Sequence, residues 1–128
     1  MRKRISWRRH GARGRGDRGQ TAIEYLGWVP ILLLIALAAI QLGIAVYAVQ
    51  QAGTAARAAA RTVSIDNGSG VQGGKAAMSD WLAERTDIAV EPAGDEVTAT
   101  ARVEIPSLIP VFDLGRATRS ATMPVTDR

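Results

Sequence analysis

Polarity along the chain changes character twice. From Tyr25 to Ala56 no position is charged, and within that run Leu26 to Val49 holds Gln41 as its one strongly polar side chain. A helix needs about 20 apolar residues to cross a hydrocarbon core of about 30 Å. The run therefore predicts a transmembrane span over about residues 26–49. It exceeds the usual length of a buried helix in a soluble protein and of the apolar core of a secretory signal peptide. Ala45, Ala48 and Ala52 do mimic the small-residue pattern of a signal cleavage site, which makes a signal peptide the competing reading. Helical character is expected from Gln20 to about residue 64. Some 44 residues at about 1.5 Å each reach roughly 66 Å, so the second half must stand outside the membrane. Pro30 is placed to kink the helix.

Beyond the helix the pattern shortens. Residues 65–74, rich in glycine, read as a flexible linker. Lys75 to Arg85 reads as a short helix with an apolar face of Ala77, Met78, Trp81 and Leu82. Thr86 to Glu91 predicts a strand, and Glu91 to Asp95 a turn. Glu96 to Ile105 alternates: Val97, Ala99, Ala101, Val103 and Ile105 fall on one face, with Thr98, Thr100, Arg102 and Glu104 on the other. Residues 106–114 form a loop with two prolines, and 116–125 a third strand with Ala117, Ala121, Met123 and Val125 inward. The expected fold class is α+β. A long N-terminal transmembrane helix precedes a small extracytoplasmic domain, 75–128, of one helix and about three antiparallel strands. A domain of about 55 residues has a thin core and needs the long helix or a partner for stability.

Charge sets the orientation. Residues 1–19 carry eight basic side chains against one acid, Asp17, whereas the rest of the chain carries eight bases and eleven acids. The basic leader lies before the span, and only Arg57 and Arg61 lie just after it, so the N-terminus is expected in the cytoplasm and the C-terminal domain outside. A basic arm that abuts a membrane span and has no fold of its own does not point to nucleic acid. With no cysteine, disulfides, thiolate metal sites and a lipidated cysteine are excluded; with His10 as the one histidine, no catalytic or metal-binding constellation assembles. No cofactor is expected. Gly68 to Gly73 matches G-x-G-x-x-G, but a long helix precedes it where a dinucleotide site needs a strand.

The stretch Gly19-Gln20-Thr21-Ala22-Ile23-Glu24-Tyr25 stands at the cytoplasmic edge of the span. Glu24 either ends the span among headgroups or pairs with a charge. A cut after Gly19 would make Gln20 a new N-terminus with Glu24 four positions on, and α-amine and carboxylate would offset each other's burial in an apolar bundle. With the basic leader ending in Arg18-Gly19, the early Pro30, then Gly43 and Tyr47, and the Ala/Arg-rich stretch Ala52 to Arg61, this arrangement resembles a type IV prepilin. It is most similar to the TadE/TadG-like pseudopilins of tight-adherence (Flp, type IVc) pilus systems. The resemblance covers about residues 13–65.

What the resemblance implies is cleavage between Gly19 and Gln20 by a membrane prepilin peptidase, with Glu24 and the adjacent Tyr25 serving processing or assembly. The expected function is that of a non-enzymatic minor pilin or pseudopilin in pilus assembly; the length of the C-terminal domain favours this over a main filament subunit. Its partners would be the peptidase, other pilin and pseudopilin subunits with their assembly machinery, and the lipid bilayer. It would reside in the bacterial cytoplasmic membrane, and at the cell surface once assembled. The alternative is a permanent single-pass anchor whose outer domain binds a protein partner. Ala48, Ala52, Ala56 and Ala60 recur at i+4, and Ala39 with Gly43 forms a small-xxx-small pair. These positions suit either close helix packing or plain helix propensity. Gln41 is expected to bond across helices or within its own.

Overall fold

The computed structural model describes residues 17–126. Most of the basic leader, including His10, lies outside the described residues. The element order is α1 (Asp17–Asp66), α2 (Gly70–Ala76), α3 (Asp80–Ala83), β1 (Thr86–Ala93), β2 (Glu96–Glu104) and β3 (Arg116–Pro124). The expected α+β architecture is therefore present: a long apolar helix followed by small helices and three antiparallel strands. The chain divides into two compact units, one ending at Ala36 and the other running Leu37–Arg128.

Within the first unit, every residue from Gly19 to Ala36 is exposed, although the segment is rich in Leu, Ile and Val. The helix is long and apolar enough to cross a membrane, and only 6% of its most apolar window is buried. A core helix of a soluble protein would show the reverse.

The second unit is built on the C-terminal half of α1. Ala48, Ala52, Ala55, Ala56, Ala59 and Ala60 are fully buried and join Met78, Leu82, Ile88, Ala99, Ala101, Val103, Ile105 and Ala117 in one core. The sheet is a meander of order β1-β2-β3. Alternation along β2 turns Val97, Ala99, Ala101 and Val103 inward, as the sequence pattern predicts. On the other face, hydroxyl pairs tie β2 to β3 in register: Thr98 with Thr122 at 2.8 Å and Thr100 with Ser120 at 2.9 Å.

Three local expectations differ from what forms. First, β1 runs through Pro92 to Ala93 instead of ending at Glu91. It is an edge strand, where a missing N–H costs no ladder bond. The turn tightens to Gly94-Asp95, with Gly94 at φ 65° in the first central position of a primed turn.

Second, the stretch read as a flexible linker is largely helix α2, capped by Ser69, whose Oγ accepts from Gln72 N at 3.4 Å. Its glycines serve close approach rather than flexibility. A Cβ on Gly70 would meet Val90 Cγ2 at 2.7 Å, and one on Gly74 would meet Ile88 Cδ1 at 2.5 Å and the Ala55 carbonyl at 2.9 Å. Gly70 and Gly74, four apart, lie against the alanine face of α1, so two backbones meet with almost no side chain between them.

Third, the helix expected over 75–85 breaks at residues 77–79 and resumes as α3. Ser79 is held there by α1: its N–H donates to Gln51 Oε1 at 3.1 Å, and its Oγ shares a hydrogen bond of 2.5 Å with the Tyr47 hydroxyl. Met78 and Leu82 are buried as expected, while Ala77 is exposed and Trp81 lies half out, stacked on Tyr47 with ring centroids 6.1 Å apart.

Candidate functional site

Two places on α1 carry polar chemistry within an apolar helix. The first is its N-terminal entrance. Gly19 and Gln20 lie within the helix near its start and are exposed. A Cβ on Gly19 would meet nothing within 4 Å. Glycine in a helix costs up to about 1 kcal/mol relative to alanine, and no packing among the described residues requires it there. One turn on, Thr21, Glu24, Tyr25 and Trp28 share a helix face and line a common shallow groove. Tyr25 and Trp28 are well exposed, the amphipathic pair that membrane–water boundaries favour. The structure thus brings Glu24 and Tyr25 together with two residues that the sequence reading did not single out, Thr21 and Trp28; the i, i+3, i+4, i+7 spacing was the available signal.

The second place is Gln41, which is buried. It bonds neither to another helix nor within its own. Its Nε2 donates to the Pro106 carbonyl at 3.0 Å, and its Oε1 accepts from Leu108 N at 2.7 Å. The side-chain amide therefore takes both halves of one backbone segment, as a strand neighbour would. Around this clamp lies an apolar groove of about 250 Å³ lined by Ala38, Gln41, Leu42, Ala45, Ile109, Phe112 and Leu114. A lone glutamine in an apolar run, together with a proline-bracketed apolar loop, was the signal for this contact. Nothing in the sequence paired the two.

The small residues divide. Ala39 and Gly43 are exposed, and a Cβ on Gly43 would meet nothing within 4 Å. Ala48, Ala52, Ala56 and Ala60 are fully buried in the core of their own chain. They share that core with Met78, Leu82 and the inward residues of the sheet, so they are not exposed on this chain's surface. Among the described residues no group of three or more His, Cys, Asp or Glu could hold a metal ion.

Helix and site together define an α+β protein with one exposed apolar helix, long and apolar enough to cross a membrane, that has a polar entrance and is followed by a small sheet unit. Residues 19–61 match the model of the TadE-like protein family, as the resemblance implied. The match begins at Gly19 and takes in Gln20, Glu24, Tyr25, Ala39, Gly43 and the buried alanines. No curated protein and no solved structure matches the chain.

Proposed function

We propose that this chain is a TadE/TadG-like minor pilin or pseudopilin that takes part in assembly of a tight-adherence (Flp, type IVc) pilus, and that a prepilin peptidase cuts it between Gly19 and Gln20. The observation that carries the reading is Glu24 on an exposed face at the start of an otherwise unbroken apolar helix, inside a segment that matches the TadE-like family. A permanent anchor needs neither that acid nor the unpacked Gly19 five positions before it.

The eight bases of the leader keep the N-terminus in the cytoplasm, and the C-terminal domain beyond the span faces outward. Cleavage exposes the α-amine of Gln20 at the positive end of the helix dipole, an unfavourable place for a cation. Glu24, at i+4 or on a neighbouring subunit, offsets it. Subunit contacts use the helix surface that this chain leaves bare, including Ala39 and Gly43, because the alanine face beyond is occupied. The other pilin subunits and the bilayer compete for that bare surface, which suits a protein that starts in one and ends in the other. The role is structural, not catalytic.

The test is the mature N-terminal residue, read by mass spectrometry of membrane protein from cells with and without the peptidase. The expected result is a chain beginning at Gln20 only when the peptidase is present, and an uncut chain for Gly19→Leu. A Met1 or Arg2 start in peptidase-competent cells overturns the pilin reading and leaves a permanent anchor.

A further inference from the structure

The apolar span is short by one measure. From Tyr25 to Ile40 the helix is uncharged and, half-buried Leu37 apart, exposed, and those residues at about 1.5 Å each reach only about 24 Å, against a hydrocarbon core of about 30 Å. At Gln41 the helix becomes covered by the loop that joins β2 to β3. That loop presents Leu108, Val111, Phe112 and Leu114 to the outside, with Val111 87% and Phe112 61% exposed. Exposed apolar side chains at this density in a loop of a small unit mark an interaction surface.

We propose that this loop seats in the bilayer, at the boundary of headgroups and acyl chains in the leaflet where α1 leaves the membrane, and completes the apolar span as a collar. The inference rests on the membrane reading above and adds a second, non-helical contact to it. Three observations carry it. Ile109, Phe112 and Leu114 of the loop line one groove with Ala38, Leu42 and Ala45 of α1, so loop and helix share one apolar surface there. Counting the helix on to Ala45 brings the apolar height to about 32 Å, which closes the shortfall.

The loop also satisfies part of its own backbone, which suits a seat at the hydrated headgroup boundary and not in the hydrocarbon core. Pro106 and Pro110 have no N–H to satisfy, Leu108 N and the Pro106 carbonyl are taken by Gln41, and Phe112 N donates to the Ile109 carbonyl at 3.0 Å. Ser107 Oγ stands between the carbonyls of Ile109 and Phe112 and donates its one proton to either. Finally, Asp113 Oδ1 accepts from Gly115 N at 2.8 Å, and its charge sets the depth at the headgroup boundary rather than further in. A buried glutamine in the span is thereby explained as well: both of its polar ends are matched before lipid reaches them.

The chain has no cysteine, so single labels are unambiguous. Full-length protein carrying Val111→Cys with an environment-sensitive fluorophore is reconstituted in phosphatidylethanolamine/phosphatidylglycerol vesicles containing shallow or deep nitroxide lipids. Leu33→Cys and Glu91→Cys are labelled in parallel. The expected result is a blue-shifted Val111 label, quenched by the shallow nitroxide more than by the deep one, with Leu33 quenched by the deep one and Glu91 by neither. A Val111 label that stays red-shifted and unquenched while Leu33 is quenched overturns the collar and leaves the membrane reading standing. A Leu33 label that is also unquenched overturns both. A Val111 label shielded from water only at high protein-to-lipid ratio, without nitroxide quenching, overturns the collar in favour of a second copy covering the loop.

Discussion

Glu24 and Gln41 are polar residues at the two ends of the apolar stretch of α1, and they are treated in opposite ways. Gln41 is satisfied within its own chain by two backbone groups of one loop. Glu24 stands exposed in a groove with Thr21, Tyr25 and Trp28. A polar group satisfied internally is structural, since removing it orphans its partners. An acid left on the outside of an apolar helix is available to something else. Glu24→Gln is accordingly expected to leave membrane insertion intact, because removing a charge eases insertion, and to impair assembly. Breaking one partner of a buried ion pair costs about 3–5 kcal/mol, which at 1.4 kcal/mol per decade is more than about a hundredfold in subunit affinity. The measurement compares membrane fraction, cleavage and recovery in sheared surface material beside the native pilus machinery. A variant that is cleaved and recovered at native levels makes Glu24 an ordinary interfacial acid.

At the scale of elements, the glycines separate by what surrounds them. Gly74 is wedged between Ile88 and the backbone of Ala55, whereas Gly43 faces open space. Gly74→Ala is expected to destabilise the sheet unit by about 1–3 kcal/mol through overpacking. Gly43→Ala is expected to stabilise α1 by up to about 1 kcal/mol through helix propensity. Thermal unfolding in detergent followed by circular dichroism checks both, and equal effects would refute the close α1–α2 approach. If Gly43→Ala also reduces assembly, the open position is a subunit contact.

The same contrast explains what could be read from the sequence. The strands were legible because β2 alternates over its whole length and the hydroxyl residues of β3 match it in register. The apolar helix was legible because no charge interrupts it. Helix α2 was not, because a glycine that packs and a glycine that flexes are the same letter; only Val90 and Ile88, distant in sequence, distinguish them. At the site, Gly19 and Glu24 stood out by local spacing, and Tyr25 by the resemblance to the family pattern. The Gln41 clamp could not, since its partners lie 65 and 67 residues away.

For the molecule as a whole, the outer half of α1 belongs to the sheet unit as much as to the helix. Six of the fully buried core residues are α1 alanines, and the largest fully buried side chains are only Leu82, Val97 and Val103. A sheet of three strands with so few large side chains does not bury enough apolar surface alone. A chain from Leu37 to Arg128 is therefore expected to unfold cooperatively in mild detergent, and a chain from Asn67 to Arg128 to show no cooperative transition. Circular dichroism melts and amide proton dispersion would decide it. Cooperative folding of the shorter chain would mean that α1 is a tether and no more. If instead the helix is required, the alanine face is committed in every state of the folded protein, in the membrane or out of it. On the proposed pilin function, subunit contacts then come from the bare helix, from the entrance around Glu24 and from the outer faces of the sheet unit. Substitutions that enlarge Ala52 or Ala56 should lower folded yield before they touch assembly, whereas enlarging Ala39 or Gly43 should leave yield intact and act on assembly alone.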